Sequence, residues 1–579
     1  MNKDNQLDKI RHSLSHVLAH AVQDLYPGVK FGIGPVIDNG FYYDFDLKET
    51  LGPEDLIKIE KRMRELLKDD LSFEESVVDK DEALALEKDQ PYKLELIEEL
   101  AKIGKKISFY KTGEFMDLCQ GPHINSTKDI PAEGFKLDKT AGAYWRGSEH
   151  RPMLQRVYGL AFAAKKELDA YAKQQEEAEA RDHRKLGRQF DLYSFDGVAP
   201  GAAFWHPNGM IMRREIDNLL FEFLNPAGYQ YVLTPVMVKP RLFESSGHLK
   251  HYKEFMFKVL GGDKEEFYLK PMNCPEATYI YASKPRSYRD LPIRLAEMGL
   301  VSRNELSGTL GGLFRVRQFT MDDGHIFLRP DQLQEELTNL FKLSNDIYKI
   351  FGLKPSYKLA TKPDDALGDQ KKWDLAEEAL AKALEANNLE YELKPKDGAF
   401  YAPKIDIHIT DALDRDWQLC TIQVDLFMVP NLPGVDYTDE KGKKQKPFVI
   451  HRAILGSVER FFGIITEHFA GTFPTWLHPV QVQIIPVGKA HTEPAKKLGE
   501  ELKKAGIRVK VDSDNETVGL KIRNASKLKV PYTLVIGDKE MSSNKLSIRI
   551  RGQKDIVMKT KADFIKSLKK EIVDRELGP

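Results

Sequence analysis

Two groups of cysteine and histidine residues in this sequence have the types and positions that metal binding or acid–base chemistry requires. In the first group, His12 and His16 are one helical turn apart, and Cys119 and His123 repeat that spacing about a hundred residues later. Two such pairs match a zinc site that takes two ligands from each segment. Histidines on a solvated helix face together with a buried cysteine are the alternative.

The second group consists of residues that are far apart in sequence: Cys274 in KPMNCP, His325 in DDGHIF and His451 in VIHRAI. One thiolate and two imidazoles suit zinc, and three protein ligands leave a fourth position open, as in catalytic zinc sites. Each residue taken alone is also explained as a buried core residue. The sequence has only three cysteines, which excludes a disulfide framework, and we interpret the third, Cys420, as a core residue.

Arginines and glycines are concentrated between these ligands, in residues 293–330. An apolar run ends at Arg303, a Gly/Ser stretch covers residues 307–312, and a second run carries Arg315 and Phe319. Strand, glycine-rich loop and strand predict a hairpin that closes over a small anion. The two guanidinium groups can bind phosphate oxygens, and the phenylalanine offers a face for a base. A plain sheet hairpin with exposed charges is the alternative.

Several domains must position these residues, because 579 residues are too many for a single core. We predict a first α+β domain at 1–163, a charged connecting helix at 164–189, a catalytic domain at 190–477 and a C-terminal domain at 478–579. In the last of these, strands and helices alternate, which predicts a three-layer α/β fold. With no apolar run of about eighteen residues and no leader pattern, the sequence predicts a cytoplasmic protein that does not enter a membrane.

Charge is unevenly distributed along a chain whose net charge is only −1. Residues 478–579 contain 22 Lys+Arg and 13 Asp+Glu, whereas the rest of the chain has an acidic excess. This asymmetry favours a C-terminal module that binds a polyanion, with an ordinary solvated surface as the alternative.

The hairpin resembles motif 2 of the class II aminoacyl-tRNA synthetases through its Arg-x-Glu and Arg-x-x-x-Phe patterns. Residues 213–238 resemble motif 1, whose helix and strand form a homodimer interface in that family, and residues 448–462 resemble motif 3. The segments KPMNCP, DDGHIF and HRAILGS narrow the resemblance to threonyl-tRNA synthetases. The resemblance implies a catalytic domain built on an antiparallel sheet. It also implies an enzyme that uses ATP to join L-threonine to tRNA(Thr). The ATP would bind together with Mg²⁺.

The resemblance assigns roles to individual residues in the catalytic domain. One Zn²⁺ per subunit would be held by Cys274, His325 and His451 and would select threonine over valine, which has no second ligand to offer. ATP and threonine would be bound by Arg303, Glu305, Arg315, Phe319, Asp323, Arg460, Tyr401, Lys404, Gln418 and Gln423. No protein nucleophile is implied, because the threonine carboxylate itself attacks ATP, and rate comes from positioning and charge.

The first domain, with HSLSH and DLCQGPH, resembles the second additional domain shared by threonyl- and alanyl-tRNA synthetases. The alanyl branch holds zinc at these positions, whereas the threonyl branch is thought to hydrolyse an aminoacyl ester without metal, and we predict the metal-free form. Serine lacks only one methyl group of threonine, a difference of roughly 1–3 kcal/mol, so a second hydrolytic sieve for Ser-tRNA(Thr) is required. The predicted residues of this editing site are His12, His16, Lys93, Cys119 and His123.

The C-terminal domain resembles the anticodon-binding domain of class IIa synthetases. Unstacked bases suit polar contacts to their edges, and the matching residues are Asn515, Arg523, Glu540 and Arg549. Chains of this family often begin with a small ubiquitin-like domain, and here the HxxxH helix comes so early that we expect a short form without it.

Several positions depart from the family pattern and bear on the alternatives. These positions are Met321, Gly311, Glu276, Leu419 and Cys420. Met321 is the best argument for the alternative that the chain is a non-catalytic paralogue with an RNA-binding or regulatory role. An editing-deficient ligase is a further alternative, which predicts that His16 and Cys119 are dispensable.

Overall fold

The computed structural model describes residues 3–579 of the chain. The described chain forms two compact units that divide between Glu176 and Glu177. Among residues 3–579, no helix combines the length and the apolar character that crossing a bilayer requires.

The first unit contains a long N-terminal helix and two antiparallel sheets. One sheet has the order β1-β3-β8-β7 with β2 paired to β3, and the other has the order β4-β5-β6. The strands are β1 (Lys30–Phe31), β2 (Val36–Ile37), β3 (Gly40–Asp46), β4 (Glu74–Val78), β5 (Ile107–Thr112), β6 (Phe115–Leu118), β7 (Phe135–Tyr144) and β8 (Met153–Ala161). The helices are α1 (Lys3–Leu25), α2 (Pro53–Lys68), α3 (Lys80–Leu86), α4 (Pro91–Lys102) and α5 (Lys165–Arg181), which crosses the boundary.

Helix α1 is held by the apolar face of its sequence. Leu14, Val17, Leu18 and Val22 recur at the three- and four-residue spacing of one helix face and are at most 1% exposed. The same helix carries His12 and His16, and the strand-to-loop segment after β6 brings Cys119 to it.

The predicted connecting helix is two helices rather than one. Helix α5 ends at Arg181, and α6 (His183–Gln189) begins after Asp182, whose side chain accepts a hydrogen bond from the Arg184 backbone N–H. Aspartate favours this cap position over a helix interior because its carboxylate satisfies an N–H group that the first helical turn leaves free.

The second unit is organised on an eight-stranded sheet with the order β11-β15-β16-β23-β20-β19-β17-β18. Its two outermost pairs are parallel and the other pairs are antiparallel. The strands of this region are β9 (Tyr193–Ser194), β10 (Phe204–Trp205), β11 (Tyr229–Tyr231), β12 (Met237–Val238), β13 (Lys258–Leu260), β14 (Glu266–Leu269), β15 (Ile293–Ser302), β16 (Gln318–Leu328), β17 (Pro355–Ala360), β18 (Tyr391–Lys394), β19 (Lys404–Thr410), β20 (Asp416–Asp425), β21 (Tyr437–Thr438), β22 (Lys444–Gln445) and β23 (Phe448–Ser457).

The helices beside the sheet are α7 (Pro207–Leu224), α8 (Pro240–Ser245), α9 (His248–His251), α10 (Cys274–Tyr281), α11 (Leu333–Ile350), α12 (Gln370–Ala386) and α13 (Val458–His468). The predicted hairpin is the antiparallel pair β15 and β16, in register from Ile293 opposite Phe327 to Ser302 opposite Gln318. The segment compared with motif 3 is β23 followed by α13. The antiparallel catalytic sheet expected from the sequence is confirmed.

The C-terminal part of this unit has a mixed five-stranded sheet with the order β25-β24-β26-β27-β28. All five residues of its strand β24 are buried, so both faces of the sheet are covered there, as a three-layer α/β fold requires. The strands are β24 (Val482–Pro486), β25 (Val509–Val511), β26 (Tyr532–Ile536), β27 (Lys545–Ile550) and β28 (Ile556–Thr560). The helices are α14 (Thr492–Lys504), α15 (Val518–Lys527), α16 (Asp538–Ser542) and α17 (Lys561–Val573).

Candidate active site and hydrolytic pocket

The catalytic sheet brings the three scattered ligand candidates together. His325 on β16 is directly opposite His451 on β23, and Cys274 begins helix α10. The ligand atoms of these three residues all lie within 4.8 Å of one another, and all three residues are buried. Residues two apart on a strand share a face, so Asp323 lies on the same side of β16 as His325.

The hydrogen bonding of the two imidazoles fits a metal ion. His325 Nε2 and His451 Nδ1 are buried and have no hydrogen-bond partner, whereas His451 Nε2 lies 3.1 Å from Asp425 Oδ2. Asp425 is fixed in turn by three backbone N–H donors at 2.8 Å. A carboxylate behind an imidazole is the usual way that a zinc-binding histidine is oriented. Burial raises the pKa of the Cys274 thiol and lowers that of His325, and a bound dication would reverse the first effect.

A cavity of about 310 Å³ opens beside this cluster. Its lining includes Cys274, Arg303, Asp323, Tyr401, Gln418, Gln423, His451 and Arg460. Asp323 accepts a hydrogen bond from Asn273 Nδ2 at 2.9 Å, and burial raises the pKa of its carboxyl group. The Tyr401 hydroxyl donates to Gln423 Oε1 at 2.7 Å. A buried carboxyl group and two amide side chains thus line the space next to the potential metal ligands.

Two arginines form the cationic wall of the cavity. Arg460 donates from Nε to the Phe314 carbonyl at 3.2 Å, and Arg303 donates from Nε to the Pro271 carbonyl at 3.2 Å. Burial and then the nearby guanidinium groups lower the pKa of Arg460, so an anion bound here would relieve repulsion. Phe319 is only 6% exposed and its ring centroid lies 5.2 Å from the Arg303 guanidinium carbon. The ring therefore supports the arginine in this structure.

Three other residues singled out from the sequence lie outside the cavity lining: Glu305, Arg315 and Lys404. Arg315 is exposed and forms an ion pair with Glu305 at 2.8 Å. Lys404 donates to Asp406 at 2.7 Å, and Gln418 donates to the other oxygen of the same carboxylate at 2.8 Å. Asp406 thus orients one residue that lines the cavity and one that does not.

The cluster in the first unit is bonded differently. Cys119 Sγ lies 3.3 Å from His12 Nε2 and 3.4 Å from His123 Nε2. The other ring nitrogens are 3.1 Å from the Pro122 carbonyl and from the Ser13 hydroxyl, respectively. Burial raises the pKa of the Cys119 thiol to about 12 and lowers the pKa of both imidazoles. These groups are therefore neutral near pH 7.

A buried charged network lies beside that cluster. Lys93 is 2% exposed, and its ammonium lies 2.5 Å from Asp117 Oδ1 and 3.0 Å from the Tyr43 hydroxyl. Tyr43 donates to the other oxygen of Asp117 at 2.5 Å. His16 Nε2 lies 3.9 Å from that same oxygen, which joins the network to the histidines. The structure thus brings the five predicted residues of the first unit into one cluster of side chains.

Four residues at these sites were not identified from the sequence: Asn273, Asp425, Asp117 and Tyr43. Asn273 and Asp117 lie within the motifs KPMNCP and DLCQGPH, so their position was the available signal. Asp425 ends β20 and Tyr43 lies in β3, where neither type nor spacing marks a functional role.

The predicted anticodon residues differ in their contacts. Asn515, Arg523 and Arg549 are exposed. Glu540 instead accepts hydrogen bonds from the Gly537 backbone N–H at 3.0 Å and from the Ser547 hydroxyl at 2.5 Å. Its carboxylate is engaged in capping a short helix.

Comparison with protein families gives three matches along the chain. Residues 255–469 match the tRNA synthetase class II core domain (G, H, P, S and T), and residues 481–571 match the anticodon binding domain. Residues 107–158 match the threonyl and alanyl tRNA synthetase second additional domain.

Two threonine–tRNA ligases are similar to nearly the whole chain, and one solved structure is similar to about two thirds of it. The threonine–tRNA ligase of Clostridium tetani is 48% identical over 570 residues, which cover 98% of this chain and 88% of that protein. The threonine–tRNA ligase of Carboxydothermus hydrogenoformans is 46% identical over 576 residues, covering 99% and 90%. The crystal structure of the RNA binding domain of threonyl-tRNA synthetase from Cryptosporidium parvum matches with 38% identity and a TM-score of 0.65, covering 69% of this chain and 98% of that chain. With its class II core, its anticodon-binding domain and this degree of identity, the chain belongs to the threonine–tRNA ligase family.

Proposed function

We propose that the chain activates L-threonine with ATP and transfers it to the 3′ end of tRNA(Thr), and that it removes serine mistakenly attached to that tRNA. The observation that carries the proposal is the convergence of Cys274, His325 and His451 beside an arginine-lined cavity. Membership of the ligase family supports the same assignment. We also propose a cytoplasmic location.

Threonine selection is assigned to the buried end of the cavity. Zn²⁺ held by the three ligands would accept the amino nitrogen and the side-chain oxygen of threonine, a pair that valine lacks. Asp323 would accept a hydrogen bond from the threonine amine, since its carboxylate is buried and already fixed by Asn273. Tyr401, Gln418 and Gln423 would hold the remaining polar groups.

ATP is assigned to the cationic end of the cavity. Arg303 and Arg460 would bind phosphate oxygens and the adenine, and the exposed Arg315 would reach the outer phosphates of ATP, which arrives with Mg²⁺. Glu305 and Phe319 would complete the nucleotide site, and Lys404 would approach the adenylate. The threonine carboxylate attacks the α-phosphate and diphosphate leaves, so the protein groups stabilise developing charge and act as neither nucleophile nor base.

Ester hydrolysis is assigned to the pocket of the first unit. Neutral imidazoles of His12, His16 and His123 can position a water molecule, and Lys93 beside Asp117 can hold or donate a proton. The positive charge of Lys93 beside this cluster supports the metal-free form, although the four ligand atoms lie within 4.8 Å of one another.

A homodimer and a tRNA-binding domain complete the proposal. Met210, Phe221, Tyr231 and Leu233, on α7 and in the strand segment after it, are 46%, 50%, 37% and 80% exposed, which supports a self-association surface. The basic domain at 478–579 would bind the anticodon through Asn515, Arg523, Glu540 and Arg549. The proposal also includes the domain boundaries at residues 163, 189 and 477.

Threonine-dependent exchange between ATP and diphosphate tests the assignment, together with metal analysis of the purified chain. We expect exchange with threonine and none with valine, and one zinc per chain. A chain that binds tRNA but has no exchange and no stoichiometric zinc would instead be the RNA-binding paralogue.

A further inference from the structure

His183, the first residue of α6, is buried among segments of the nucleotide site. Its side chain is 4% exposed, and its Nδ1 lies 2.7 Å from Glu467 Oε1 near the end of α13. Its Nε2 accepts a hydrogen bond from the Leu313 backbone N–H at 3.0 Å, in the loop between β15 and β16. One side chain therefore connects the helix that carries Arg460 to the loop that precedes Arg315.

These two contacts fix a single state of the imidazole. Nε2 accepts from a backbone N–H and so carries no proton, which leaves Nδ1 to donate to the carboxylate. Burial opposes ionisation of Glu467, but hydrogen bonds from His183 and Arg415 lower the pKa of this carboxyl group. Asp182, His183 and Glu467 have ligand atoms within 4.8 Å of one another, yet both ring nitrogens already have partners, so the geometry does not favour a metal.

The loop is shaped around this histidine. Gly312 has a φ of +54°, and a Cβ at this position would lie 2.2 Å from His183 Nε2. The ring of Phe314 lies 4.2 Å from the His183 ring, and the Phe314 carbonyl receives the Arg460 guanidinium at 3.2 Å. The loop backbone that His183 anchors is thus the same backbone that orients Arg460.

We propose that His183 is a positioning residue for ATP binding: it holds the loop at Leu313 against α13 so that Arg460 and Arg315 keep the geometry that ATP requires. The inference rests on the proposed placement of ATP beside Arg460. It assigns no contact with ATP to His183 itself and no role in threonine recognition, because the cysteine–histidine cluster does not include it.

Two conservative substitutions at His183 test its two hydrogen bonds one at a time. His183→Gln can place an acceptor near the position of Nε2, and His183→Asn can place a donor near the position of Nδ1. Exchange kinetics are measured for both variants while ATP and threonine are varied in turn. We expect His183→Asn to raise the KM for ATP about tenfold, because a buried backbone N–H loses its acceptor, and His183→Gln to raise it less. The KM for threonine should stay unchanged in both.

A third variant disturbs the contact between His183 and Leu313 by changing the loop. Gly312→Ala should displace Leu313 from His183, raise the KM for ATP and speed hydrogen exchange in residues 306–318, as His183→Asn should also do. Equal KM values for ATP in the Asn and Gln variants, or an equal rise in the KM for threonine, would overturn the inference. Arg460→Ala is the reference: if it leaves the KM for ATP unchanged, the proposed ATP site itself is wrong, whatever the His183 variants do.

Discussion

The two cysteine–histidine clusters contain the same residue types, and in both the ligand atoms lie within 4.8 Å of one another, but their hydrogen bonding differs in degree. In the first unit, Cys119 contacts two imidazoles, and the far nitrogens of these imidazoles are also bonded. In the catalytic cluster, His325 Nε2 and His451 Nδ1 are buried without a partner. His16 Nδ1 in the first cluster is also buried without a partner. Unsatisfied buried nitrogens are costly, so each cluster has ring nitrogens that a ligand could satisfy, and the catalytic cluster has two.

The charged groups next to the two clusters also differ. A carboxylate held by backbone N–H groups supports His451 from behind, which strengthens a metal ligand. The first cluster instead adjoins the Lys93 ammonium, a positive charge that disfavours a metal cation and can serve acid–base chemistry. Residue type alone therefore does not distinguish the two clusters, whereas the carboxylate behind His451 and the ammonium group of Lys93 do.

The largest effect should come from removing one cysteine from each cluster. Cys274→Ala should abolish zinc binding and threonine-dependent exchange, because it deletes the sulfur ligand of a three-residue site. Cys119→Ala should keep both. Zinc per chain, measured by plasma mass spectrometry, checks this prediction. Loss of zinc from the Cys119 variant would make the first cluster the metal site and reverse the comparison.

The next effect concerns hydrolysis in the first unit. Lys93→Met keeps the length of the side chain but removes its charge, and we expect hydrolysis of Ser-tRNA(Thr) to slow by about 100-fold with threonine activation unchanged. Lys102→Met, at the exposed end of the same helix, is the matched control. Equal hydrolysis in both variants would remove Lys93 from the mechanism.

A smaller effect should follow from loosening the support of His451. Asp425→Asn should weaken zinc affinity by about 10- to 100-fold, because the imidazole loses the carboxylate that orients it. Asp416→Asn, at the opposite end of the same strand, should leave the affinity unchanged. Competition with a chromophoric chelator measures both, and a normal affinity in the Asp425 variant would mean that His451 is positioned by packing alone.

The smallest effect is on stability at acidic pH. Burial lowers the pKa of His16 well below its usual 6.5, so the folded chain keeps it neutral while the unfolded chain protonates it below that value. Stability is then fully present above pH 6.5 and falls as the pH drops, by about 1.4 kcal/mol per pH unit for one histidine. Thermal unfolding at pH 7.5 and 5.5 should show a smaller difference for His16→Gln than for the unchanged chain. An identical difference would show that His16 is protonated in the folded chain.

Much of the fold could be predicted from local sequence. An apolar run, a Gly/Ser stretch and a second run predicted the hairpin formed by β15 and β16, and the alternation of strands and helices predicted the C-terminal α/β fold. The connecting segment was expected as one helix because its composition is uniformly helix-favouring. Capping by Asp182 outweighed that preference, and it placed His183 where it anchors the loop of the nucleotide site.

The sequence by itself determined the family, the residue types of both clusters and the order of the motifs, because these depend on spacing along the chain. Only the tertiary structure decided which imidazole nitrogens remain free, that Asp425 supports His451 and that Lys93 pairs with Asp117. These facts depend on contacts between strands and helices far apart in sequence, and such contacts are fixed by packing rather than by local pattern.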